Sequence, residues 1–119
     1  MKNKILYLVL LFIILPCAYL KAADEATMQA EQWFLKTDKQ VNDLYQKVMS
    51  KLDKKQKNAL EEAQQAWIAY RKKESAASAM IPDYGGSAYN MDYMATSAEL
   101  NEERVKVLEK FLKSLTVKP

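Results

Sequence analysis

The chain has no histidine, a single cysteine, two glycines and three prolines among 119 residues. Histidine is the usual general base and the commonest metal ligand, so its absence removes most acid–base and zinc or haem chemistry. The one cysteine, Cys17, has no partner for an intramolecular disulfide and sits beside the long apolar run near the amino terminus. The breakers are scarce and clustered: Pro82, Gly85 and Gly86 share the stretch "IPDYGGSAYN", and beyond residue 22 the other proline is Pro119. So few interruptions imply long helices joined by one real loop. Strand-like alternation is sustained nowhere.

The amino terminus differs from the rest. Two lysines precede an unbroken apolar block, Ile5 to Leu15, which Pro16 interrupts. Eleven residues are too few to span a bilayer core of about 30 Å, which takes about 20. The block has the form of a secretory signal, with small residues at Ala18, Ala22 and Ala23 and cleavage expected after Ala22. Residues 1–22 are therefore expected to be a signal peptide and 23–119 the mature domain, placed in the periplasm or outside the cell. A lipid anchor at Cys17 is disfavoured because Pro16 stands where such signals carry a small residue.

Removal of residues 1–22 takes away Lys2, Lys4 and Lys21 and no acid, so 18 basic residues become 15 against 15 acidic ones. A neutral mature chain has no general basic surface for nucleic acid. It has no basic amphipathic helix to hold a membrane either. The remaining 97 residues suffice for one compact domain resting on its core alone.

Three helices are expected. The first covers about 25–52 with an apolar ladder of Phe34, Val41, Tyr45, Val48 and Leu52. Asp53 and Gln56 form a capping pair for the second, at about 55–80. Ser87 or Asn90 would cap the third, which ends near Leu115 and carries a seam of Met94, Ala98, Asn101, Val105, Leu108, Leu112 and Leu115. A polar Asn101 in such a seam sets register. The fold expected is an all-α antiparallel three-helix bundle with a Gly-Gly loop between helices two and three.

On helix two, Leu60, Gln64, Trp67, Arg71 and Glu74 share one stripe, with Ala59, Ala63, Ala66 and Tyr70 on the next. A buried tryptophan and arginine need polar partners, and Asp38 and Asn42 on the first helix can supply them. Adjacent acids such as Glu61 and Glu62, or Glu102 and Glu103, diverge on a helix surface, so a two-carboxylate hydrolytic site is not expected. The reading is of a protein with no catalytic, cofactor-binding or metal-binding residues.

The run "AQQAWIAYR", preceded by "DKQVNDLYQKVMSKL" and followed by the glycine pair and "ELNEERVKVL", resembles the LprI-like family of lysozyme-inhibitor-type domains, small secreted helical proteins of bacteria. The family's motif residues correspond to Asp38, Val41, Asn42 and Tyr45 on the first helix. They continue as Ala63, Gln64, Trp67, Tyr70 and Arg71 on the second and Leu100, Asn101 and Arg104 on the third. The resemblance covers most of 35–112. Members usually carry a cysteine after the arginine motif and another ahead of the third-helix motif, and the matching positions here are Ser75 and Thr96. Losing that cross-link loosens the intervening loop.

The resemblance implies a protein partner, a lysozyme or related cell-wall hydrolase. The charge pattern agrees. No basic residue stands between Lys73 and Arg104, while Glu74, Asp83, Asp92, Glu99, Glu102 and Glu103 are acidic. The expected contact residues are Asp83, Tyr84, Gly85, Gly86, Ser87, Tyr89, Asp92 and Tyr93, an acidic tyrosine-rich loop suited to a basic cleft. The alternative is a structural or stress-related envelope protein in which the motif serves only the fold. Lys47, Lys51, Lys54, Lys55 and Lys57 form an opposite, solvated pole.

Overall fold

The protein is described by a computed structural model covering the backbone of residues 2–83 and 85–117, with side chains from residue 21 onward. It consists of α1 (Lys2–Met49), α2 (Lys54–Met80) and α3 (Gly86–Thr116). α1 begins far ahead of the expected residue 25. No glycine lies within it, alanine and leucine are frequent, and Pro16 withholds one backbone donor without ending the helix. Its carboxyl end falls at Met49, so Leu52 packs from the turn rather than from the helix.

α2 starts as its sequence dictates. The Asp53 carboxylate accepts from the Gln56 amide at 2.8 Å, and the Gln56 side-chain oxygen accepts from the Asp53 amide at 3.0 Å, which satisfies two otherwise orphaned donors. α3 starts differently from expectation. Neither Ser87 nor Asn90 caps it; Gly85 does, with φ 63° and ψ 178°, and no side chain caps the first turn. That backbone region is essentially restricted to glycine, which explains the residue at 85. Gly86, also at positive φ, then opens the helix.

Consecutive helices run antiparallel, so α1 and α3 run the same way, and α3 packs most extensively against α1 and next against α2. The apolar core is built from Val41, Val48, Leu60 and Leu108, with Leu44, Tyr45, Leu52, Trp67, Val105, Leu112 and Leu115 against it. The third-helix seam is as expected: Ala98, Asn101 and Leu108 are fully enclosed. On α2 the buried line is Leu60, Gln64, Ser75 and Ala79, and Glu74 points outward. A step of one residue turns a helix by about 100°, and the small Ser75 fits where α2 comes close to α3. Among the described residues no helix is long and apolar enough to cross a membrane.

Candidate functional site

Polar side chains of all three helices meet midway along the bundle. Arg71 of α2 donates from Nη1 to Asp38 Oδ1 of α1 at 2.6 Å and to Asn101 Oδ1 of α3 at 2.7 Å. Asn101, with no solvent exposure, donates from Nδ2 to Thr37 Oγ1 at 3.1 Å. Thr37 in turn donates its hydroxyl to the α1 carbonyls of Trp33 and Phe34. Asn42 donates to the other Asp38 oxygen at 3.3 Å. The Arg71 guanidinium is also held between the rings of Phe34 and Trp67, 5.3 and 5.0 Å from their centroids. Charge pairing and two aromatic faces thus compensate its removal from water.

A second polar group lies one turn below. Arg104 Nε donates to Gln64 Oε1 at 3.0 Å, and its guanidinium lies 5.7 Å from the Trp67 ring centroid. Among the described residues its buried Nη2 finds no hydrogen-bond acceptor. Burial away from water lowers the Arg104 pKa below the ordinary arginine value. Trp67 therefore links the two groups, its ring lying near both guanidinium groups. Within the Trp–Tyr–Arg run on α2, the tryptophan and arginine organise the core, while Tyr70 points outward, half exposed. Tyr45 packs in the apolar core below and Asn42 sits at the network's solvent edge.

The third cluster joins α2 to α3 near their hairpin. Ser75 and Ser97 share a buried hydrogen bond at 2.7 Å, and Thr96 donates to Ser78 at 2.9 Å. The position facing Ser75 is thus Ser97, not Thr96. Both α3 residues contact α2, but only Ser97 is turned fully into the interface.

The expected contact residues divide between hairpin and helix. Asp83, Gly85, Gly86 and Ser87 are exposed, with Asp83 held at φ 52°. Tyr84 lies outside the described residues. Tyr89, Asp92 and Tyr93 belong to the first turns of α3 and are half-buried, the two tyrosine rings stacked with centroids 6.3 Å apart. Sequence reasoning missed Met80 and Ile81, which stand 66% and 82% exposed just ahead of Pro82 and add apolar surface to the acidic hairpin. It also missed Thr37, although the gap in the ladder between Phe34 and Val41 requires an inward residue at 37 or 38. The Trp33 indole, which donates to Glu102 at 2.8 Å, was likewise not foreseen. Among the described residues no three His, Cys, Asp or Glu side chains gather as a metal site would need.

Three helices fastened by a charged and amide-bearing core, with an acidic hairpin at one end and lysines at the other, define a small all-helical domain built around polar registration. The chain belongs to the lysozyme inhibitor LprI family, whose model matches residues 17–108. That span contains every motif residue of the polar core. No curated protein and no solved structure matches the chain.

Proposed function

We propose that this protein is a secreted or periplasmic binding module that blocks a lysozyme-like cell-wall hydrolase, with residues 1–22 as its removable signal and the α2–α3 hairpin as its contact surface. The observation that carries this reading is the base-free stretch from Glu74 to Glu103, which runs from the last turns of α2 through the hairpin, where Asp83 stands exposed, and along α3 to its middle. Exposed apolar Met80 and Ile81 adjoin Asp83 there in sequence, and Tyr89 and Tyr93 stack on each other in the first turns of α3. Apolar anchors with surrounding acidic charge suit a basic cleft: the anchors supply affinity and the charge speeds encounter. Membership of an inhibitor family supports a binding rather than a catalytic role.

The test is binding and inhibition of cell-wall lysis across a panel of lysozymes, comparing the parent with Ile81→Ser and Asp83→Asn. Asparagine tolerates the positive φ at 83, so the second change removes charge without straining the backbone. Weakening of the complex by roughly tenfold or more, with thermal unfolding unchanged, supports the hairpin as the contact.

The alternative reading, an envelope protein in which the motif serves only the fold, is favoured by one specific observation. Asp38, Gln64, Trp67, Arg71, Asn101 and Arg104 are engaged with one another across the three helices. A complete lack of lysozyme binding by the parent chain decides for that reading.

A further inference from the structure

The end of the bundle away from the hairpin carries a separate apolar surface. Where α1 ends and α2 begins, Val48, Leu52, Leu60, Ala63, Phe111 and Leu115 wall an open groove of about 350 Å³, within the size range of clefts that take small molecules. The gap exists because Ala59 and Ala63 are small where α2 passes the end of α3, leaving Phe111 and Leu115 without a full covering. Its two polar lining residues are already engaged. Gln56 accepts from the Asp53 amide, and Ser114 donates to the Lys110 carbonyl. An occupant of the groove therefore meets mainly hydrocarbon.

Cations border this apolar surface. Lys47, Lys51 and Lys55 immediately precede the lining residues Val48, Leu52 and Gln56, and Lys110 and Lys113 immediately precede Phe111 and Ser114. The acids nearest in sequence are Asp53, Glu61, Glu62 and Glu109, outnumbered by the lysines, and the first of these has its carboxylate on the Gln56 amide. Apolar walls with a predominantly cationic rim are complementary to an amphiphile that joins one acyl chain to an anionic head. Head-group attraction and chain burial would then act together.

We propose that this groove binds a single-chain anionic amphiphile of the fatty-acid type, with its chain against Leu60, Phe111 and Leu115 and its carboxylate among the lysines. The site is independent of the hairpin surface and does not rest on the inhibitor reading. The probe is dodecanoate, titrated below its micelle concentration into the full chain and followed by calorimetry and by amide chemical shifts. The apolar run at residues 5–15 also attracts such a ligand, so the deciding variant is Ala63→Trp, which fills the groove from an exposed position, with Ala59→Phe as a second filler.

Saturable one-to-one binding is expected, with shifts centred on residues 48–63 and 108–115. Either filler should weaken it by roughly tenfold or more without lowering the unfolding temperature. Lys51→Gln with Lys55→Gln and Lys110→Gln should weaken it several-fold, and dodecyltrimethylammonium should not compete. The proposal is overturned if the fillers leave binding unchanged, if the cationic amphiphile binds equally well, or if the chain adsorbs to anionic vesicles while taking up no monomeric dodecanoate.

Discussion

Arg71 is the residue on which the most interactions converge: one carboxylate, one amide oxygen and two aromatic rings from three helices. Arg71→Ala leaves Asp38 and Asn101 without their shared donor and removes the stacked guanidinium. A loss of about 2–4 kcal/mol is expected, read as a lower urea midpoint with the slope unchanged. Arg104 differs because it has no acidic partner among the described residues and one of its buried nitrogens is unpaired. Arg104→Met or Gln64→Leu alone strands a buried polar group and should cost about 1–3 kcal/mol. The two together remove donor and acceptor at once and should fall within about 1 kcal/mol of the parent. If the double variant is instead as destabilised as the sum of the singles, the Arg104 stack on Trp67 matters more than its hydrogen bond. At this scale the sequence was readable for Asp38, Trp67 and Arg71, because an arginine and an indole on one stripe demand partners. It was not readable for Ser97 against Thr96, since neighbouring residues of similar chemistry are distinguished only by the rotation of α3.

Among the elements, the α2–α3 hairpin is the part that a cross-link would change most. Ser75 and Ser97 stand where a disulfide would join the two helices, with their hydroxyl oxygens 2.7 Å apart. Ser75→Cys with Ser97→Cys is expected to oxidise spontaneously and to raise stability by roughly 3 kcal/mol, the chain-entropy value for a loop of about twenty residues. The check is denaturant unfolding with and without reductant. Ser75→Cys with Thr96→Cys should give little or no such gain, because Thr96 faces Ser78 instead. Boundaries were legible where side chains cap the backbone, as at Asp53, and illegible where glycine does so by conformation alone, as at Gly85. The start of α1 was placed too late for another reason. A start near residue 25 follows from reading residues 1–22 as a removable segment, and where a chain is cut is a separate matter from where its helix begins.

Across the whole molecule, charge is segregated rather than large. The lysine-rich turn between α1 and α2 occupies one end of the bundle and the acidic hairpin between α2 and α3 the other, which follows from the antiparallel course of consecutive helices. A basic partner approaching the hairpin should associate more slowly as salt rises. The association rate is expected to fall at least several-fold between low and physiological ionic strength, while dissociation changes little, as stopped-flow mixing would measure. Equal salt effects on both rates would instead mean that the acidic residues act inside the contact.

Helix number, the capping box, the register-setting asparagine and the absence of histidine chemistry are local properties, written in spacing and residue type, and the sequence by itself determined them. The family resemblance rests on the same local pattern. Tertiary structure alone decided which polar residues meet: that Arg71 reaches Asp38 and Asn101 while Arg104 is left with Gln64, that Ser75 faces Ser97, and that Ala59 and Ala63 leave a groove beside Phe111. Those outcomes depend on the rotation and separation of helices far apart in the chain, and a one-residue step turns a side chain from the core to the surface.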